Sequence, residues 1–336
     1  MSDLPPNAEP ILRVENLRTY FNLRTGVLKA VDGVSFAVEP GKVLCIVGES
    51  GSGKSVTALS ILRLVDAPGR IQGGRILYRD TDLLDLSEAQ MTDRIRGDRI
   101  AMIFQDPMTS LNPSFTIGDQ IAEGIIAHQK VSGDEARSKT IELLRLVGIP
   151  HAEERYHDHP HHFSGGMRQR VMIAAAIATE PDVLIADEPT TALDVTIQAQ
   201  ILRLLADLQK SLNSAMILIT HDLGVVAAMA DQVMVMYAGR VVEYADVETL
   251  FGNPQHPYTR GLLDSVLGLD APADIELHSI PGLPPVPIDM PAGCSFRPRC
   301  SLALDVCSQS FPELREVEPG HEAACHAIDA GGVARS

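Results

Sequence analysis

A chain of 336 residues with 45% hydrophobic and 21% charged residues has room for two domains and the composition of a globular rather than a disordered protein. Its formal net charge of −16 argues against a generic nucleic-acid binder, which carries a basic face. No apolar run approaches the ~18–20 residues that cross a bilayer, and the start Met1-Ser2-Asp3-Leu4-Pro5-Pro6 lacks the basic beginning and apolar core of an export signal, so the chain is expected in the cytosol, free to dock on a membrane protein.

Residues 11–47 alternate short apolar runs with turn signals, as in Val31-Asp32-Gly33-Val34-Ser35-Phe36, and read as antiparallel strands. The last run, Val43-Leu44-Cys45-Ile46-Val47, is continuously apolar, the mark of a buried strand in which Cys45 is packing. It enters Gly48-Glu49-Ser50-Gly51-Ser52-Gly53-Lys54-Ser55, which fits G-x-x-x-x-G-K-[ST], and helical apolar spacing follows from Val56 to Leu64. Such a strand-to-helix turn is the setting the motif needs. Its glycines let the backbone wrap a phosphate chain with N–H groups turned inward, and the helix start adds its positive dipole end. Lys54 is then placed for the β- and γ-phosphates, and the Ser55 hydroxyl for Mg²⁺. A nucleotide is predicted here.

Further along, Gly73 to Tyr78 reads as an edge strand, and Arg99 to Phe104 as a strand ending at Gln105-Asp106-Pro107. From Ile117 to about Ile149 the apolar spacing turns helical, and Ser164 is a good N-cap for a helix over residues 165–178. Asp182 to Asp187 and Ala215 to Thr220 are continuous apolar runs of the kind found in parallel sheets covered on both faces. Val233 to Tyr237 and Arg240 to Tyr244 form a hairpin about Ala238-Gly239. After about Asp246 prolines become dense (Pro281, Pro284, Pro285, Pro287, Pro291) and four cysteines appear, which reads as a separate, loop-rich extension.

The run ending at Asp187 places that carboxylate at a strand tip, where it serves the Mg²⁺ shell, and Glu188 next to it is suited to orient or deprotonate an attacking water. Standing alone, an Asp-Glu pair is usually a solvated turn. More than a hundred residues separate Ser55 from Asp187, so a helical insert is expected between the two elements.

Phe163-Ser164-Gly165-Gly166-Met167-Arg168-Gln169-Arg170 resembles the L-S-G-G-Q signature of ATP-binding-cassette (ABC) ATPases, a helix start that is physically a second anion site. Gln105 resembles the family's Q-loop, Ala192-Leu193-Asp194 its D-loop, and His221 its switch histidine. The resemblance implies an α/β fold: a P-loop NTPase cassette with a RecA-like core, an antiparallel β-subdomain and a helical subdomain at about 106–180. The cassette is expected over 1–245, and a cysteine-containing C-terminal extension over 246–336. It implies ATP as substrate, sandwiched between one subunit's phosphate loop and a partner's Ser164, Gly165, Gly166 and Met167, the last replacing the usual glutamine. His221 then holds the γ-phosphate, Gln105 senses Mg²⁺ and water, and an aromatic at Phe21 or Tyr20 stacks on adenine.

Asn253-Pro254-Gln255-His256-Pro257-Tyr258-Thr259 and the segment from Gly293 to Cys300 resemble the oligopeptide and dipeptide importer ATPases, with nickel importers sharing much of this tail. That likeness implies a second ATPase subunit (a paralogue), two transmembrane permeases, an extracytoplasmic substrate-binding protein and a peripheral position on the cytoplasmic face of the inner membrane. A soluble ABC ATPase acting on nucleic acid or ribosomes is a rival that the acidic charge disfavours. Cys294, Cys300, Cys307 and Cys325 follow C-x5-C-x6-C-x17-C. Zinc sites more often use C-x2–4-C pairs; related importer subunits imply a [4Fe–4S] cluster, with zinc or unligated thiols as alternatives. The histidine-rich stretch from His157 to His162 reads as a solvated loop.

Overall fold

The computed structural model describes residues 9–265, 280–286, 288, 290 and 292–328; the readings of residues 1–6, Pro287 and Pro291 lie outside them. Backbone proximity divides the described residues into two units, one within 9–12, 37–42 and 77–219, the other within 13–36, 43–76 and 220–328.

The first unit is built on three parallel strands, Ile100–Ile103, Val183–Asp187 and Ala215–Ile219, with Val183–Asp187 in the middle. Every residue of the three is buried, which is why the sequence shows unbroken apolar runs rather than alternation. The helical stretch is two helices, Ile117–Gln129 and Gly133–Leu146, opened by Thr116 and Ser132, whose side chains accept from the N–H groups of Asp119 and Glu135. Their buried faces, Ile117, Ile121 and Ile125 on one and Ala136, Thr140 and Leu144 on the other, repeat every fourth residue as a helical stripe must. Helix Gly165–Ile177 starts at the expected Ser164 cap, and helix Val195–Leu212 starts at Asp194 and stops at Asn213, which takes the left-handed conformation at φ 50°.

In the second unit, Val43–Val47 pairs in parallel with Gln232–Tyr237, which corrects the antiparallel reading of the last strand before residue 48. Gln232–Tyr237 and Arg240–Asp246 form the expected hairpin, turned by Ala238 (φ 48°) and Gly239 (φ 83°), the two positive angles a two-residue hairpin turn requires. Gly69–Tyr78 is not an edge strand: Leu77 and Tyr78 pair onward with Asp82 and Thr81.

The tail is not loop alone. His321–Ala323 pairs with Arg240–Asp246, and Arg315–Glu318 pairs with His321–Ala323, so the tail adds two strands. These are three and four residues long and carry charges, so no apolar alternation marks them. Under this join lies Glu243, fully buried, which accepts from the N–H groups of Gln255 (2.6 Å) and His256 (2.8 Å) and lies 2.8 Å from Nε2 of His321. Unmatched, a buried carboxylate is strongly destabilising; here donors surround it. Nδ1 of buried His256 accepts from the Tyr258 N–H (3.0 Å) and caps helix Pro257–Asp264.

Burial lowers the pKa of His256 to about 4, against the opposing pull of Glu243. Between that value and the ordinary ~6.5 the unfolded chain binds the extra proton, so stability rises with pH in this window and is lost as pH falls through it. Urea unfolding is expected to show a falling midpoint from pH 6.5 towards pH 4, and His256→Asn, which keeps a capping oxygen, is expected to flatten that slope.

Candidate functional site

The 48–55 loop is shaped by its glycines. Gly48 (φ 151°), Gly51 (φ 79°) and Gly53 (φ 103°) all have positive φ. A Cβ on Gly48 would lie 2.3 Å from the Met236 carbonyl oxygen, and one on Gly53 would lie 2.2 Å from that of Ala30. The loop is thus pressed between two backbones and opens directly into helix Lys54–Ile61. Buried Lys54 curls back over it, with Nζ donating to the carbonyls of Gly48 (2.7 Å) and Glu49 (3.0 Å). Ser52 Oγ is 3.5 Å from the same ammonium, and Ser55 is half-buried on the first helical turn. A glycine-shaped loop at a helix start with an ammonium lying over it fits a polyphosphate.

On the first strand the two candidate aromatics point to opposite faces, as neighbours on a strand must. Tyr20 donates its hydroxyl to Asp32 (2.6 Å), and burial and then that carboxylate push its pKa up to about 12. Phe21 lies against Gly69, where a Cβ would be 2.6 Å from its ring. His221 is exposed, one residue before Asp222, which caps helix Leu223–Met229.

In the first unit, Asp187 ends its strand 5% exposed, and Glu188 follows at φ 43° with its N–H donating to the Ile219 carbonyl (2.9 Å). The Glu188 carboxylate accepts from Gln105 Nε2 (2.9 Å) and from the Thr191 hydroxyl (2.8 Å). Two residues named independently from the sequence, Gln105 and Glu188, are therefore in direct contact; Thr191 was not anticipated. Ser164 is exposed and its Oγ accepts from the Met167 N–H (3.4 Å). Gly165 is exposed, and Gly166 packs so closely on Ile197 that a Cβ would come within 2.7 Å. Asp194 Oδ1 accepts from the Ile197 N–H (3.0 Å).

Burial raises the pKa of Cys294 and of Cys325, the latter to about 11, and the thiols of Cys300 and Cys307 add to both shifts. Cys294 N–H donates to the Cys307 carbonyl (2.9 Å). Among the described residues no three or more His, Cys, Asp or Glu side chains converge as ligands of a metal ion, so neither the expected [4Fe–4S] cluster nor the zinc alternative gains support from the geometry. Cys45 is fully buried, and desolvation raises its pKa to about 12, as expected of a packing residue. The rings of His161 and His162 meet at 4.2 Å on an exposed turn.

The tail residues that contact the phosphate loop were missed. Tyr258 Oη accepts from the Glu49 N–H (2.8 Å), and Arg299 pairs with the Glu49 carboxylate. Tyr258 stood in a recognised run, but nothing in the spacing ties either residue to position 49.

The profile described as "ABC transporter" matches residues 31–191, and that described as "Oligopeptide/dipeptide transporter, C-terminal region" matches residues 242–307. A probable peptide ABC transporter ATP-binding protein of Sinorhizobium fredii is 53% identical over 95% of this chain and 96% of its own length. The oligopeptide transport ATP-binding protein AppD of Bacillus subtilis is 49% identical over 97% of this chain and 99% of its own. Among solved structures, the ATP-binding cassette MJ0796, in a dimeric post-hydrolysis state bound to ADP and Pi, is 27% identical with a TM-score of 0.63, covering 70% of this chain and 98% of that one. The chain belongs to the ABC-transporter ATPases, in the group that carries the oligopeptide/dipeptide-type C-terminal region.

Gly53→Ala forces a Cβ into the Ala30 carbonyl at a left-handed position, which alone costs about 1–2 kcal/mol. It is expected to lower the melting temperature and abolish ATP binding measured by calorimetry.

Proposed function

We propose that this chain is the ATP-hydrolysing subunit of an importer for di- and oligopeptides. The peptide assignment is carried by the match of residues 242–307 to the oligopeptide/dipeptide C-terminal region, and is supported by what the relatives from Sinorhizobium fredii and Bacillus subtilis are named for. A nickel or other solute importer remains the second reading, because such importers share much of the tail. Uptake of labelled dipeptide, lost on deletion and restored by the wild-type chain but not by Lys54→Ala, is the expected result; restored nickel uptake without peptide uptake contradicts the peptide assignment.

In this reading residues 48–55 hold the triphosphate, with Lys54 turning from the Gly48 and Glu49 carbonyls to the β- and γ-phosphates. Magnesium would supply charge neutralisation and orientation of the γ-phosphate; Ser55, Gln105 and Asp187 are the residues assigned to hold it. Glu188 takes a proton from the attacking water at one carboxylate oxygen, and Gln105, now bonded to that carboxylate, couples it to nucleotide state. His221 contacts the γ-phosphate, and Phe21 or Tyr20 stacks on adenine. Ser164, Gly165, Gly166 and Met167 face an ATP held mainly by a second ATPase subunit, and Asp194 belongs to the D-loop. Two permeases and an extracytoplasmic binding protein complete the assembly. No described helix is long and apolar enough to cross a membrane, which suits a subunit held at the inner face of the membrane by permeases.

The cassette spans 1–245 and the extension 246–336 in this proposal. Cys294, Cys300, Cys307 and Cys325 would hold a [4Fe–4S] centre in this proposal, an assignment that rests on the resemblance of the tail to related importer subunits alone. Anaerobically purified protein is expected to be brown and to lose the colour on Cys300→Ser; colourless protein with stoichiometric zinc contradicts the cluster.

Glu188→Gln is expected to bind ATP with nearly unchanged affinity and to lose roughly 10²–10⁴-fold in hydrolysis, the usual worth of a general base. Full turnover in that variant moves the base elsewhere.

A further inference from the structure

A loop that binds a polyphosphate gains from every positive or N–H group it presents and loses from every negative one. Position 49, second in this loop, is a glutamate. Its carboxylate is not left to solvent: Arg299 donates from Nη1 to Oε2 (2.6 Å) and from Nη2 to Oε1 (2.9 Å), the fork-on-fork arrangement that fixes both direction and distance. The Arg299 side chain is 5% exposed and is itself held by its Nε bond to the Pro281 carbonyl (2.8 Å). The backbone of Glu49 is caught as well, by the hydroxyl of fully buried Tyr258. Tyr258, Tyr237 and Phe296 pack against one another with ring centroids 4.7 to 5.4 Å apart, so both anchors stand on one aromatic cluster. All of these residues lie in one unit of the fold.

We infer that Arg299 and Tyr258 are positioning residues of the nucleotide site, which cancel the charge of Glu49 and fix its N–H so that the 48–55 loop stays shaped for a polyphosphate. Neither touches the reacting atoms. The segment between Cys294 and Cys300 thereby has a duty at the phosphate loop that does not depend on what the thiols hold. The inference rests on residues 48–55 being the nucleotide loop.

The test uses the full chain, Mg-ATP as substrate, and melting temperature as a check on folding. Arg299→Gln leaves a bare carboxylate beside the phosphates and is expected to raise KM for ATP about tenfold with kcat little changed. Adding Glu49→Gln removes that carboxylate, and the double variant is expected to return to within about threefold of the parent KM. A role confined to packing the tail gives no such recovery. An unchanged KM in folded Arg299→Gln, or a double variant as weak as Arg299→Gln alone, overturns the inference. Should Arg299→Gln unfold the tail, Tyr258→Phe keeps the ring and loses only the acceptor; KM raised about threefold at unchanged kcat is expected, and an unchanged KM there also overturns it. Lys54→Ala separates the two levels: ATP binding lost there while Arg299→Gln stays normal removes only the inference, whereas ATP binding kept in Lys54→Ala removes the loop reading itself.

Discussion

A polyphosphate can be gripped by main-chain N–H groups only where the chain coils tightly with no side chain in the way. Gly48, Gly51 and Gly53 meet that condition with positive φ, and two of them could not carry a Cβ without striking the carbonyl of Met236 or Ala30. Those carbonyls belong to flanking strands, so the loop's shape is imposed by its surroundings as much as by its own residues. The fully buried strand Val43–Val47 delivers the loop and helix Lys54–Ile61 carries it away. Lys54 closes the ring on the loop's own carbonyls, which keeps an ammonium in a nearly buried place ready for an anion.

The carboxylate proposed as the general base obeys a different constraint. A base must be close at hand yet held still, and Glu188 is held by Gln105, by Thr191 and by its own N–H on Ile219. Its left-handed backbone at φ 43° is a strained conformation for a glutamate, of the kind that collects at working sites. Because Gln105 bonds the same carboxylate oxygen as Thr191, any displacement of Gln105 changes the surroundings of that carboxylate directly.

Much of this was legible in the sequence because the relevant signals are local. A buried parallel strand writes an unbroken apolar run, as Val183–Asp187 and Ala215–Ile219 do, and a helix start writes a cap, as Ser164 and Asp194 do. What was not legible depends on pairs far apart in the chain. Arg299 meets Glu49 across 250 positions and His321 meets Glu243 across 78, and no spacing rule joins them. The parallel pairing of Val43–Val47 with Gln232–Tyr237 was missed for the same reason, and the strands Arg315–Glu318 and His321–Ala323 because short charged strands carry no apolar period. Thr191 escaped notice because threonine after a strand tip is common and silent until its carboxylate partner is placed.

Whether ATP sits in the 48–55 loop can be read by amide hydrogen exchange of the full chain without any substitution. Addition of Mg-ATP is expected to slow exchange at the amides of residues 49–56 more than at any other stretch of this unit. Unchanged exchange there, with protection arising elsewhere, contradicts that placement of ATP.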